Sequence, residues 1–191
     1  AISSAVCAFP TLDAAVQTVI LSIQLGVPVA RIELLDALAI TAINRHSKTS
    51  LREEPTLFFE FHGSPTGVKE QAETVQEIAS DHGGQDFEWA TRPEDRSRLW
   101  QARHDAYYAS IGLKPGCRAL TTDVCVPISS LAECIAATYL DLDASKLVAP
   151  LVGHVGDGNF HLVLLVDPDN DEELARAKGF ASRLAQRAIF M

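Results

Sequence analysis

Long apolar runs are missing from this chain, and so are most of the short signatures that announce a reaction. The richest apolar stretch, Ala14 to Leu25, is interrupted by Gln17 and Gln24 and falls well short of a membrane-spanning helix. Nothing reads as GxSxG, as a phosphate-binding glycine loop ending in Lys-Ser or Lys-Thr, or as GxGxxG. A nucleophilic hydrolase and a self-contained nucleotide-binding domain therefore find no support. Basic residues are in deficit, with 16 Lys and Arg against 25 Asp and Glu and a net charge of −9. That balance argues against nucleic acid and against an anionic membrane surface as partners. The four cysteines, Cys7, Cys117, Cys125 and Cys134, form no CxxC pair. A chain of this length needs no disulfide staples, so buried free thiols in a reducing compartment are expected. An initiator Met and a signal or transit peptide are also missing. The chain opens directly on a strand pattern, Ser4 to Phe9, and stops in an uncapped helical one, Ala188 to Met191, which reads as a fragment of a longer protein.

What remains is an ordinary globular composition, 47% hydrophobic and 21% charged over 191 residues, enough for one domain or two small ones. Strand and helix patterns alternate throughout. A strand over 4–9 leads to a helix capped by Thr11 and closed at Gly26 and Pro28. A strand over 29–34 precedes a short helix over 36–45, and Pro55 opens an aromatic strand over 56–61. Helices over 66–79 and 93–110 flank a short strand at 87–90, and a strand over 118–126 ends at Pro127. Ser129 and Ser130 are placed to cap the next helix; strands over 146–155 and 159–166 and a helix from about 169 complete the pattern. Mixed strand polarity and a late hairpin favour an α+β architecture over a parallel α/β sheet: a largely antiparallel sheet with helices packed on one face.

The most telling segment is Gly153-His154-Val155-Gly156-Asp157-Gly158-Asn159-Phe160-His161. Asp-Gly between apolar runs signals a two-residue hairpin turn. With Asp157 and Gly158 as the turn residues, His154 faces His161 across the ladder, with Cβ atoms roughly 4.5–5.5 Å apart. Two imidazoles so placed can converge on one divalent metal. The plainer reading makes them polar surface residues; their opposition beside a glycine-rich turn favours ligands. A catalytic zinc-type site still needs a third protein donor and an open position. Asp157 is better explained by its turn, and Asn159 is equally a turn former or an amide for a substrate.

A second candidate lies on the helix carrying Trp100, Arg103 and Tyr107, which share one face. An Arg between two aromatics can grip a carboxylate bidentately, although an ordinary surface Arg on an amphipathic helix is the simpler account. Glu33, a charge in an apolar strand, reads as one half of a structural salt bridge, and His62 as a turn residue closing its strand.

The nine residues from Gly153 to His161 resemble the HxGDGNxH signature of FAD-linked oxidases acting on 2-hydroxy acids. Arg31-Ile32-Glu33-Leu34-Leu35-Asp36, Phe58-Phe59-Glu60-Phe61-His62-Gly63, Leu99-Trp100-Gln101-Ala102-Arg103 and Thr122-Asp123-Val124-Cys125-Val126-Pro127 occur in the family's order, so the likeness extends over essentially the whole chain. Within the family the mitochondrial, cytochrome-linked D-lactate dehydrogenases are the most similar group. The resemblance implies the carboxy-terminal substrate, or cap, domain over 1–191, a ferredoxin-like α+β layer truncated at its end, with the flavin held mainly by a separate domain absent here. It implies His154 and His161 as ligands of zinc or manganese, Asn159 as a substrate contact and Arg103 as the carboxylate grip. It also implies D-lactate oxidation with hydride transfer to FAD, an acceptor such as cytochrome c, and a mitochondrial setting, the isolated fragment being inactive. The family's third ligand is a Glu in a Gly-Glu-His-Gly stretch, followed by a His proposed as the base; this sequence contains no such stretch. Relatives acting on dicarboxylic 2-hydroxy acids carry a Lys where Thr121 stands, which favours monocarboxylates over 2-hydroxyglutarate. Glycolate dehydrogenase remains an alternative within the family. A stand-alone metal hydrolase and a non-catalytic metal-binding or interaction module are the alternatives outside it.

Overall fold

The computed structural model describes residues 1–191. Polar punctuation starts four of its six helices. Thr11, Asp36, Ser64 and Asn170 each accept a hydrogen bond from the backbone N–H three residues on, opening α1 (Leu12–Gln24), α2 (Ala37–Ser47), α3 (Pro65–Asp81) and α6 (Asp171–Ile189). α4 (Pro93–Ile111) begins with proline at its first position, where the missing N–H costs nothing. α5 (Leu131–Ser145) departs from expectation: Ser130 makes no side-chain cap, and a 3-10 turn over Ile128–Ser130 leads the chain in instead.

The strands are β1 (Ile2–Ala8), β2 (Val29–Leu35), β3 (Thr56–His62), β4 (Gln85–Ala90), β5 (Arg118–Thr121), β6 (Val124–Cys125), β7 (Leu151–Gly153) and β8 (Asn159–Val166). They form one sheet in the order β4-β1-β3-β2-β7-β8-β5, with β6 also on β8, and every pairing is antiparallel. The strand expected over 118–126 is interrupted at Thr122 and Asp123, yet the register on β8 runs through the break, from Arg118 opposite Val166 to Cys125 opposite Asn159. The strand expected over 146–155 shrinks to β7, with an isolated bridge from Val148 to Leu165.

One path is traced twice. The order β4-β1-β3-β2 is that of a ferredoxin-like unit built from β1, α1, β2, β3, α3 and β4, with α2 inserted between β2 and β3. The second group, β5 with β6, α5, β7, β8 and α6, follows the same course up to its second helix, without a counterpart of β4. The two join where equivalent strands meet, Leu34 opposite Gly153 and Leu35 opposite Val152.

The α+β class and antiparallel sheet match the expectation from sequence. Helices, however, occupy both faces. α1, α3, α5 and α6 cover one side around Leu34, Leu57, Phe59, Phe160 and Leu162, while α2 and α4 cover the other around Leu35, Phe58 and Val152. The reason lies in adjacent strand residues: Leu34 with Leu35, and Leu57 with Phe58, put apolar side chains on both faces, and both need cover. Fully burying one such side chain contributes about 1.5–3 kcal/mol.

Asp36 ties the units together. Its Oδ1 caps α2 through Ala39, and its Oδ2 accepts from Tyr139 Oη of α5 at 2.5 Å. Burial pushes the Asp36 carboxyl up to about 6, against the hydrogen bonds from Tyr139, Ala39 and Leu151 that pull it down. Burial also raises the Tyr139 hydroxyl, with the Asp36 charge acting in the same direction. Because the folded value exceeds the unfolded one of about 3.9, protonation of Asp36 favours the folded state. That contribution is complete below about 4 and is lost as pH rises through about 6, a difference on the order of 3 kcal/mol. We predict that Asp36→Asn, which keeps an oxygen for Ala39, gains stability relative to the parent as pH goes from 4.5 to 7.5. Unfolding midpoints of the two proteins across that range test it, and parallel curves contradict it.

Candidate active site

The glycine-rich segment does not form a two-residue turn. Asp157 stays in a right-handed 3-10 turn over Val155–Asp157, and only Gly158 adopts positive φ, +77°. The His154 carbonyl accepts from the N–H groups of Asp157 and Asn159, so four residues, 155–158, make the loop. Val155 anchors the loop. Its side chain is fully buried in the larger core, as is that of Phe160, so the 3-10 turn is the form the loop takes with Val155 held inside. Gly158 is required twice over, by its φ and because a Cβ there would lie 2.0 Å from the Val126 carbonyl oxygen.

This change in the turn corrects the expected register. His161 lies opposite Val152, not His154. The shift is by two residues, an even number, so the face is preserved. His154 and His161 become diagonal neighbours on the α2/α4 side, with ring centroids 5.7 Å apart and planes at 89°.

Each histidine is braced through Nδ1 by a carboxylate. His154 Nδ1 lies 2.6 Å from Glu33 Oε1, and His161 Nδ1 lies 3.3 Å from Asp123 Oδ1. A carboxylate only accepts, so the short Glu33 contact places a proton on His154 Nδ1, and in the neutral tautomer so selected Nε2 keeps its lone pair. Asp123 stands level with His161 because of the continuous β8 register, and Asn159 Nδ2 steadies it with a 2.7 Å bond to the same Oδ1.

Arg103 is held differently from expectation. Trp100 does not flank it as a free stacking plane: the Trp100 ring carries Arg31, 3.7 Å above its centroid, and donates through Nε1 to Ser4. Tyr107 is exposed and packs edge-on against Tyr108. What orients Arg103 is Glu33, whose Oε2 accepts from Nε at 2.7 Å. The Nη atoms make no hydrogen bond within the chain and form a fork suited to a carboxylate. Asn159 commits its amide nitrogen to Asp123 and to the Val124 carbonyl, leaving its own oxygen free.

The structure thus gathers His154, His161, Asn159 and Arg103 around the join of the two units. It adds Glu33 and Asp123, to which the sequence reading assigned no role in the site. The signal for Glu33 was present: a charge in the middle of a buried strand must find partners. Only the fold names those partners. His62 is exposed at the end of β3, paired with Glu60, away from this group. All four cysteines are free; Cys7 and Cys134 are buried, and Cys125 is exposed beside the loop. Nowhere do three or more His, Cys, Asp or Glu side chains form a cluster able to hold a metal. No helix is long and apolar enough to cross a membrane.

The family model described as FAD linked oxidases, C-terminal domain, matches residues 1–190. Similar curated proteins include a probable mitochondrial D-lactate dehydrogenase of Danio rerio, 50% identical over 98% of this chain and 38% of its own length. The mitochondrial D-lactate dehydrogenase [cytochrome] of Arabidopsis thaliana is 42% identical over 98% of this chain and 33% of its own length. The glycolate oxidase subunit GlcD of Bacillus subtilis is 28% identical over 95% of this chain and 38% of its own length. The chain therefore spans between a third and two fifths of these relatives. Among solved structures, the fold is shared with a 4-ethylphenol oxidase of Gulosibacter chungangensis, at a TM-score of 0.70 and 15% identity over 96% of this chain and 43% of that one. An alkyldihydroxyacetonephosphate synthase follows at 0.66 and 15%, over 98% of this chain and 40% of that one.

The geometry of the loop predicts that Gly158→Ala lowers unfolding stability by about 2–4 kcal/mol, from the left-handed backbone and the overlap with Val126 together. Denaturant unfolding measures it, and an unchanged midpoint would contradict the loop described.

Proposed function

This chain belongs to the family of FAD linked oxidases, as their C-terminal domain, and from that premise we propose that it is the substrate-binding part of an FAD-dependent dehydrogenase oxidising D-lactate to pyruvate. The observation carrying this reading is the pair of neighbouring histidines, each with a carboxylate at Nδ1, next to an arginine fork. Carboxylate–histidine pairs of this kind set the tautomer and raise the basicity of metal-bound imidazoles. The D-lactate dehydrogenase names of the two relatives above 40% identity support the substrate, and their mitochondrial labels support that location. The label [cytochrome] supports a cytochrome as electron acceptor. Glycolate is the second reading, favoured only by the GlcD relatives at lower identity.

Flavin, when bound, takes up the electron pair of the oxidation, and a divalent metal, zinc or manganese, supplies Lewis acidity. The chain's own residues do the placing. Arg103 receives the substrate carboxylate on its Nη fork. His154 and His161 present Nε2 as donors, and the free oxygen of Asn159 accepts from the substrate hydroxyl. Thr121, in place of a Lys, leaves a second carboxylate without a cation, in keeping with a monocarboxylate. The third metal donor and the proton acceptor are proposed to come from a Gly-Glu-His-Gly stretch of the full-length protein, and the flavin from its other domain. On this reading the 191-residue chain alone shows no turnover.

Two substitutions in the full-length enzyme test the roles. His154→Ala is expected to remove bound metal and most turnover; a variant with its metal content and rate intact overturns the ligand assignment. Arg103→Ala is expected to lower kcat/KM for D-lactate by the equivalent of roughly 2–5 kcal/mol. An unchanged kcat/KM leaves Arg103 only its structural bond to Glu33.

A further inference from the structure

We infer that Glu33 is a positioning residue shared by the carboxylate grip and the metal-binding histidine, setting the geometry of both through one carboxylate. The inference rests on the roles proposed above for Arg103 and His154. Glu33 lies near the middle of β2, with 1% of its side chain exposed, and its two oxygens face two different elements. Oε2 accepts from Arg103 Nε of α4 at 2.7 Å, and Oε1 accepts from His154 Nδ1 after β7 at 2.6 Å. Its partners are unequal in shielding: Arg103 is 18% exposed and His154 47%. Without Glu33 the imidazole has no other bond to hold it in place.

The chemistry admits few substitutes. Two N–H donors converge on one side chain from opposite ends, so it must offer two acceptor oxygens. A carboxylate does. The amide of Gln offers one oxygen and turns an NH2 group towards the other donor. Then either Arg103 swings away, taking the fork with it, or His154 moves its proton to Nε2, the nitrogen proposed to bind metal. Asp keeps both oxygens but is one methylene shorter and cannot span the two partners unless they move. The neighbouring rung adds stiffness, since Arg31, two residues before Glu33 and on the same face of β2, packs on Trp100, three residues before Arg103 on α4. An ion pair that served stability alone could fall anywhere between α4 and the sheet. This one uses Nε of the arginine, sparing the fork, and Nδ1 of the histidine, sparing Nε2.

The test uses full-length, flavin-loaded protein with Glu33→Gln, Glu33→Asp and, as a control, Glu173→Gln. The control breaks another well-shielded ion pair, Lys114–Glu173 at 2.6 Å, remote from the site. Metal affinity is read by competition with a chelator, and KM and kcat for D-lactate are read separately. Glu33→Gln is expected to weaken metal binding by roughly 10–100-fold, as loss of a ligand's supporting carboxylate does. It should also raise KM, with flavin content unchanged, while Glu173→Gln lowers the melting temperature and leaves metal affinity and KM alone. If Glu33→Gln does not fold, Glu33→Asp carries the test, with a loss in at least one of the two affinities. Metal affinity and KM both within twofold of the parent in a folded Glu33 variant overturn the inference. If the parent binds no divalent metal, the metal reading itself fails along with the His154 half of this inference, and KM alone decides the Arg103 half.

Discussion

The site depends on one buried carboxylate. Glu33 is almost wholly excluded from solvent, and a charge in that position persists only if its partners are fixed. Arg103 and His154 are those partners, so the cost of burying Glu33 is offset by its bonds to two side chains from distant parts of the chain. Removing either partner leaves the charge uncompensated. The proposed chemistry is thereby linked to the fold: α4 cannot shift on the sheet, nor the loop after β7 move, without breaking a bond to the same residue.

The doubled sheet explains why these partners meet. β2 and β7 are equivalent strands of two successive units, and their pairing brings Glu33 of the first beside His154 of the second. α4, the connection between the units, crosses back over the same face and supplies Arg103. β8 contributes His161 and, through its register with the edge strand, Asp123. A site assembled at such a seam needs both halves folded. Asp36 and Tyr139 reinforce the seam, joining the N-terminus of α2 to α5.

Much of the fold was legible because local rules dominate it. Thr11 marks the start of its helix by capping chemistry, and the aromatic run at 56–61 is a strand under any reading. The histidine motif was legible as a site, though not in its geometry. The Asp-Gly step invited a tight turn, whereas the loop takes a 3-10 conformation with Val155 buried and only Gly158 at positive φ. The second helical layer was hidden because Leu35, Phe58 and Val152 lie far apart in sequence and form a single apolar surface only when the strands pair. Glu33 was hidden in the same way. Its charge was visible, but its partners lie 70 and 121 residues away. Arg103 drew attention through its aromatic neighbours, although an acidic residue is what holds it.

The central claim is that Glu33 sets the tautomer of His154 before any metal arrives. Nitrogen NMR of metal-free full-length protein labelled at histidine reads this directly, with His154→Gln identifying the signal. The account predicts that, at a pH where the ring is neutral, its proton sits on Nδ1 and Nε2 is bare. A ring protonated at Nε2, or one exchanging freely between the two forms, would contradict it.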